Sequence, residues 1–180
     1  MKYSTAEARN ATFGRYSLAM ARITLGLIFL QQFLDKTLGL GGTTCRNMDT
    51  HIIVQGCREA WMYGGSPSLY FLHNNAAGPL ISWMQVLAGN ALTDWIFMGV
   101  LLLMALSLIF GVALRLGAIA GSTVLLFLWL VSFQPANPPY VHIPLIFFML
   151  GVAFLDKEQR LSLGRWWQKL PVVSRITWLQ

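Results

Sequence analysis

At 180 residues, with 56% of them hydrophobic and only 11% charged, the chain is too apolar for an ordinary soluble domain and too short to add a second domain to a membrane bundle. Its formal charge of +6 does not point to nucleic acid, because the lysines and arginines stand at the ends of apolar runs and form no single stripe. These features predict one all-α integral membrane domain, a four-helix bundle in a lipid bilayer with a long, partly helical external loop between helices 1 and 2.

The first predicted helix covers residues 16–34, opened by Arg15 and closed by Asp35-Lys36 and the loop Gly39-Leu40-Gly41-Gly42. The polar stretch before it lacks the pattern of a cleavable signal peptide, so this helix is expected to be retained. Residues 38–90 follow, too long for a bundle connection and too apolar for a disordered linker. Their second half carries Tyr70, Phe71, Leu80, Trp83 and Val86, broken by His73-Asn74-Asn75 and Gly78-Pro79. Such breaks argue against a complete crossing and for apolar pieces lying at the membrane interface; a re-entrant half-helix is the competing reading.

Helices are next predicted over residues 95–114, 116–133 and 140–156, with Thr93 or Asp94 as N-cap of the first of these. From Trp95 to Leu155 the only formal charge is Arg115, which divides the run into a tight hairpin. The break Gln134-Pro135-Ala136-Asn137-Pro138-Pro139 cannot continue a helix. The last helix is short for a full crossing, which calls for extension past Asp156 or a locally thin bilayer. Gly99, Gly111, Gly117, Gly121 and Gly151 are read as sites of close helix packing, with Gly117-x3-Gly121 as a small-residue contact motif. Residues 157–180 read as an amphipathic cytoplasmic tail, with Trp166, Trp167, Arg160, Arg165 and Lys169 at headgroup level and Pro171 ending its helix.

Placing both termini on one side collects nine lysines and arginines there against Lys36, Arg46 and Arg58 on the other. That asymmetry predicts cytoplasmic termini in the cell membrane and an external loop. Cys45 and Cys57, the only cysteines, then sit on the oxidising side and read as a disulfide. A redox dithiol, or a metal site completed by His51, fits less well: neither a Cys-x-x-Cys motif nor a zinc knuckle is present, and no metal is expected.

Ionisable residues at membrane depth are candidate functional groups, which singles out Arg22, Asp35, Lys36 and His142. Each has a plainer role beside it: Arg22 as a snorkelling anchor, Asp35-Lys36 as interface markers, His142 as a hydrogen-bonded interfacial histidine. Convergence of Lys36, Gln134, Asn137 and His142 would form a polar pocket at the outer face, suited to a small anion or to quinone carbonyls. No phosphate loop, paired haem histidines or hydrolase triad is present, so catalytic residues remain unassigned and no covalently bound cofactor is expected.

Arg22-x3-Gly26 with the later Lys36, the run Gly111-Val112-Ala113-Leu114-Arg115-Leu116-Gly117-Ala118, and Leu155-Asp156 together resemble the DoxX/DoxD family of membrane proteins. The cysteine-bearing loop lies outside that resemblance. The resemblance implies a four-helix subunit of a redox or respiratory complex, and its DoxD branch implies quinone-linked oxidation of thiosulfate or another small sulfur compound. In that role Arg22 and Lys36 would attract an anionic substrate or reduced quinone, and His142 would relay protons. A non-catalytic accessory subunit, packed against a larger membrane complex, is the alternative expectation.

Overall fold

The computed structural model describes residues 5–47, 50–75, 78–79, 81–133, 140–155, 161–171 and 173. The predicted break from Gln134 to Pro139, the stretch from Asp156 to Arg160 and most of the tail beyond Pro171 lie outside them. All regular structure among the described residues is helical: α1 (Thr5–Leu38), α2 (Pro67–Asn75), α3 (Ile81–Leu87), α4 (Ala91–Phe110), α5 (Leu114–Ser132), α6 (His142–Leu155) and α7 (Gly164–Trp167). A single 3-10 turn, Trp61–Tyr63, lies in the cysteine loop.

Among the described residues, three helices are long and apolar enough to cross a membrane: the Thr12–Leu38 part of α1, then α4 and α5. Helix α1 overruns its predicted 16–34 span at both ends, because Thr5 to Gly14 is polar without being helix-breaking, and hydropathy limits a membrane span but not a helix. At 1.5 Å per residue its 34 residues make a rod about 51 Å long. Helix α6 has 14 residues, about 21 Å, and is the short member of the set.

Packing follows chain order, α1 on α4, α4 on α5 and α5 on α6, with a lighter α1–α6 contact. The buried positions of α4, namely Met98, Leu101, Met104, Ala105 and Leu108, recur at helical spacing and form the centre of the core. Leu25 and Phe29 of α1, Ala118 and Leu125 of α5, and Met149 of α6 close around them. Glycines let the backbones approach: a methyl group at Gly26 would strike Ile109, one at Gly117 would strike Ser107, and one at Gly121 would strike Met104 and Met149. Gly99 is different, since it faces open space and serves no helix contact. The outer surfaces of these helices carry exposed Leu27, Ile28, Leu103, Ile119, Phe127 and Phe147, an apolar exterior that matches lipid.

Helix ends depart from expectation where several caps compete. The N-cap of α4 is Asn90, whose side chain accepts from Leu92 N at 2.9 Å, instead of Thr93 or Asp94. Its C-terminus falls at Gly111, which takes the left-handed conformation (φ 68°) and ends the helix four residues before the predicted Leu114. Helix α5 begins almost at once, so the hairpin at Arg115 is as tight as the sequence implies. In the cysteine loop, α2 and α3 are two short helices with no complete crossing. Gly78 N donates to Val131 O at 2.6 Å and fastens the loop to the end of α5. Helix α7 is one turn and stops well before Pro171.

Candidate functional site

The polar groups buried in the helices gather at the two ends of the packed core, around Asp35 and Asp94 at one and around Arg22 and Ser107 at the other. At the C-terminal end of α1 Asp35 is only 2% exposed, yet its carboxylate is fully engaged. Oδ1 accepts from Gly42 N at 2.7 Å; Oδ2 accepts from Thr43 N at 2.8 Å, Thr44 N at 3.0 Å and the Thr43 hydroxyl at 3.0 Å. Consecutive backbone amides of the loop thus form an anion nest around a side chain of the helix they follow. Lys36 is 9% exposed and donates to Thr43 Oγ1 at 3.2 Å and Gln32 Oε1 at 3.5 Å. The Thr43 hydroxyl therefore accepts from the ammonium and donates to the carboxylate, linking the two charges.

The disulfide locks this arrangement. Cys45 and Cys57 are bonded, with Cα atoms 5.6 Å apart. Gly56 N donates to Gly39 O at 3.1 Å and Val54 N to Cys45 O at 3.1 Å, drawing the far limb of the loop against the near one. Gly39 (φ 69°) has no room for a side chain beside Cys45 Sγ. His51 lies in the exposed part of this loop, and no cluster of metal-ligating side chains occurs among the described residues.

A second clamp stands nearby in the fold. Asp94, in the first turn of α4, is buried and accepts from Ser66 Oγ and Ser68 N, both at 2.9 Å. Ser66 in turn accepts from Leu69 N at 3.2 Å, capping α2, whose first residue is Pro67. Trp61 packs edge-on against Trp95 with ring centroids 4.7 Å apart. Both carboxylates thus hold the cysteine loop and α2 onto the helix ends.

At the other end of the molecule Arg22 is 1% exposed. Its Nη2 donates to Leu161 O at 2.8 Å, while Nε and Nη1 have no acceptor among the described residues. Leu163 N donates to Phe110 O at 2.9 Å and Ser162 Oγ to Gly111 O at 3.0 Å, so the segment after α6 is stitched to the α4–α5 hairpin beside Arg22.

Among the residues singled out by sequence, Lys36 is joined to Asp35, and Cys45 to Cys57. Arg22 and Lys36 are separated by fourteen residues of continuous helix, about 21 Å, and serve opposite ends. His142 opens α6 and is half-buried. Gln134 and Asn137 lie outside the described residues. The partners that sequence reasoning missed are Gly42, Thr43, Thr44, Ser66 and Ser68. A signal for them exists in the runs Gly-Gly-Thr-Thr and Ser-Pro-Ser, which offer amides and hydroxyls to a carboxylate. No family model matches the chain, nor does any curated protein or solved structure.

Proposed function

We propose that this chain is a four-helix subunit of the cell membrane, with both termini cytoplasmic, the cysteine loop external, and a non-catalytic accessory role in a larger redox complex. The observation that carries the accessory reading is the fate of the buried carboxylates. Asp35 is spent on the Gly42–Thr44 loop and Asp94 on the start of α2, so neither is free to act as a base. The orientation rests on the asymmetry of lysine and arginine, and the fourth crossing on α6 spanning a locally thinned bilayer. The redox setting rests on the DoxX/DoxD resemblance of Arg22-x3-Gly26, the Gly111 to Ala118 hairpin and Leu155-Asp156.

One observation favours the catalytic alternative, quinone-linked oxidation of thiosulfate or a similar sulfur compound. An ammonium has three protons to donate, and Lys36 uses two. The third could meet a small anion or a quinone carbonyl, with His142 supplying or removing protons; a bound quinone would accept the two electrons.

Purification in mild detergent separates the two readings. The accessory role predicts a stoichiometric membrane partner and, once the partner is removed, a colourless protein without thiosulfate-dependent quinone reduction. Quinone reduction by the isolated chain, lost when Lys36→Met and His142→Ala are combined, would establish the catalytic reading instead.

A further inference from the structure

Arg22 presents a problem that the accessory role does not resolve. It is a guanidinium buried to 1% exposure with a single acceptor, Leu161 O, and with Nε and Nη1 unmatched. The acidic side chains that the structure describes, Asp35, Glu59 and Asp94, all stand at the opposite end of the molecule. Removing a cation from water without a counter-charge is strongly unfavourable, so a guanidinium that no described carboxylate reaches offers a place for an anion.

The surroundings say what kind of anion. Helix α5 starts beside Arg22 with Ala113 as its N-cap and no side-chain cap, so the positive end of a 19-residue helix opens toward the same region. Arg115 lies in the first turn of that helix, its guanidinium 6.0 Å from the centre of the Phe154 ring. Trp166 and Lys169 follow on the exposed surface beyond Ser162, an indole and a cation of the sort that settle at headgroup level. Gly111 completes the setting: any side chain there would collide with Arg22 Nη1 and Ser162 Oγ, so the guanidinium occupies room that only glycine leaves. Leu161, whose carbonyl meets Arg22, and Leu163 beyond Ser162 are 54% and 53% exposed, so this segment lies at the surface.

We propose that Arg22 is the core of a phosphate-binding site for the headgroup of an anionic phospholipid at the basic end of the helices. Guanidinium donors match phosphate oxygens in geometry and charge, and the acyl chains would lie along the apolar exterior beside α1. A free phosphate ion shares the headgroup chemistry, so the experiment distinguishes the two sources.

The full-length chain, delipidated in mild detergent, is offered phosphatidylglycerol, phosphatidylcholine or inorganic phosphate, and bound lipid is counted by native mass spectrometry beside the thermal midpoint. Wild type is expected to hold one phosphatidylglycerol in preference to phosphatidylcholine, with retention at least tenfold lower in Arg22→Gln. Arg22→Lys keeps the charge with fewer donors and should fall between them, and it carries the test if Arg22→Gln fails to fold. Arg58→Gln, on the exposed loop at the opposite end of the helices, should leave the bound lipid in place. A midpoint raised by inorganic phosphate in wild type but not in Arg22→Gln, without lipid retention, would keep the phosphate site and overturn its assignment to lipid. Equal phosphatidylglycerol retention by wild type and both Arg22 variants would overturn the proposal. So would loss of the Arg22 effect on neutralising Asp156 or Glu158, which would make the counter-charge the chain's own.

Discussion

The two ends of the packed helix core bury charge to nearly the same depth and treat it in opposite ways. Asp35 is surrounded by donors from its own loop, four hydrogen bonds to one carboxylate, and Lys36 is tied to it through Thr43. Arg22 has one backbone acceptor and two unmatched nitrogens. A buried group with all its partners within the chain stabilises the fold and is closed to anything else. One whose partners are incomplete must find them elsewhere. Burial alone therefore does not mark a binding site; the count of satisfied donors and acceptors does.

The contrast can be tested from both sides. Asp35→Ala should have the largest effect, about 4 kcal/mol at ~1 kcal/mol for each hydrogen bond lost, seen as a lowered unfolding midpoint in detergent. Amides of Gly42 to Thr44 should lose their protection from hydrogen exchange in the same variant; unchanged protection would mean that the nest does not depend on the carboxylate. Replacing Cys45 and Cys57 together by serine should cost about 3 kcal/mol, the chain entropy of so short a loop, and should be matched by reducing the wild-type protein. Gly111→Ala is expected to cost about 2 kcal/mol, since the residue sits at φ 68° and its new methyl group would displace Arg22. A loss of stability there without any change in phospholipid retention would separate the hairpin from the proposed phosphate site. The smallest effect belongs to Ser66→Ala, about 1 kcal/mol for a lost cap, with local opening of α2 measurable by limited proteolysis while α4 and α5 stay intact.

Much of this architecture was legible from the residues because hydropathy acts over long windows. The apolar runs located α4, α5 and α6 to within a few residues, and Arg115 with Gly111 located the hairpin. The bond between Cys45 and Cys57 followed from an even pair of cysteines in a loop assigned to the oxidising side. Caps were harder, because Asn90, Thr93 and Asp94 are all competent within one turn, and the choice depends on Ser66 and Ser68 reaching Asp94 from more than twenty residues away. The Asp35 nest was missed for a related reason. A carboxylate beside a lysine at a helix end looks like a surface marker until the loop is known to fold back. The separation of Arg22 from Lys36 was legible, since fourteen residues of one predicted helix already place them about 21 Å apart, near opposite membrane faces.

The length of α1 has a mechanical consequence. A rod of about 51 Å in a hydrocarbon slab of ~30 Å leaves roughly 20 Å outside it, and at its N-terminal part Phe13 is 74% exposed and a methyl group at Gly14 would meet open space. Because α1 is held against α4 through Leu25, Gly26 and Phe29 and pinned at its C-terminal end by the Asp35 nest and the disulfide, it tilts together with the other helices. At the ~20° typical of membrane helices, that protruding part ends about 7 Å to the side of the point where it leaves the hydrocarbon, so the tilt of the packed helices sets where the start of α1 stands over the headgroups.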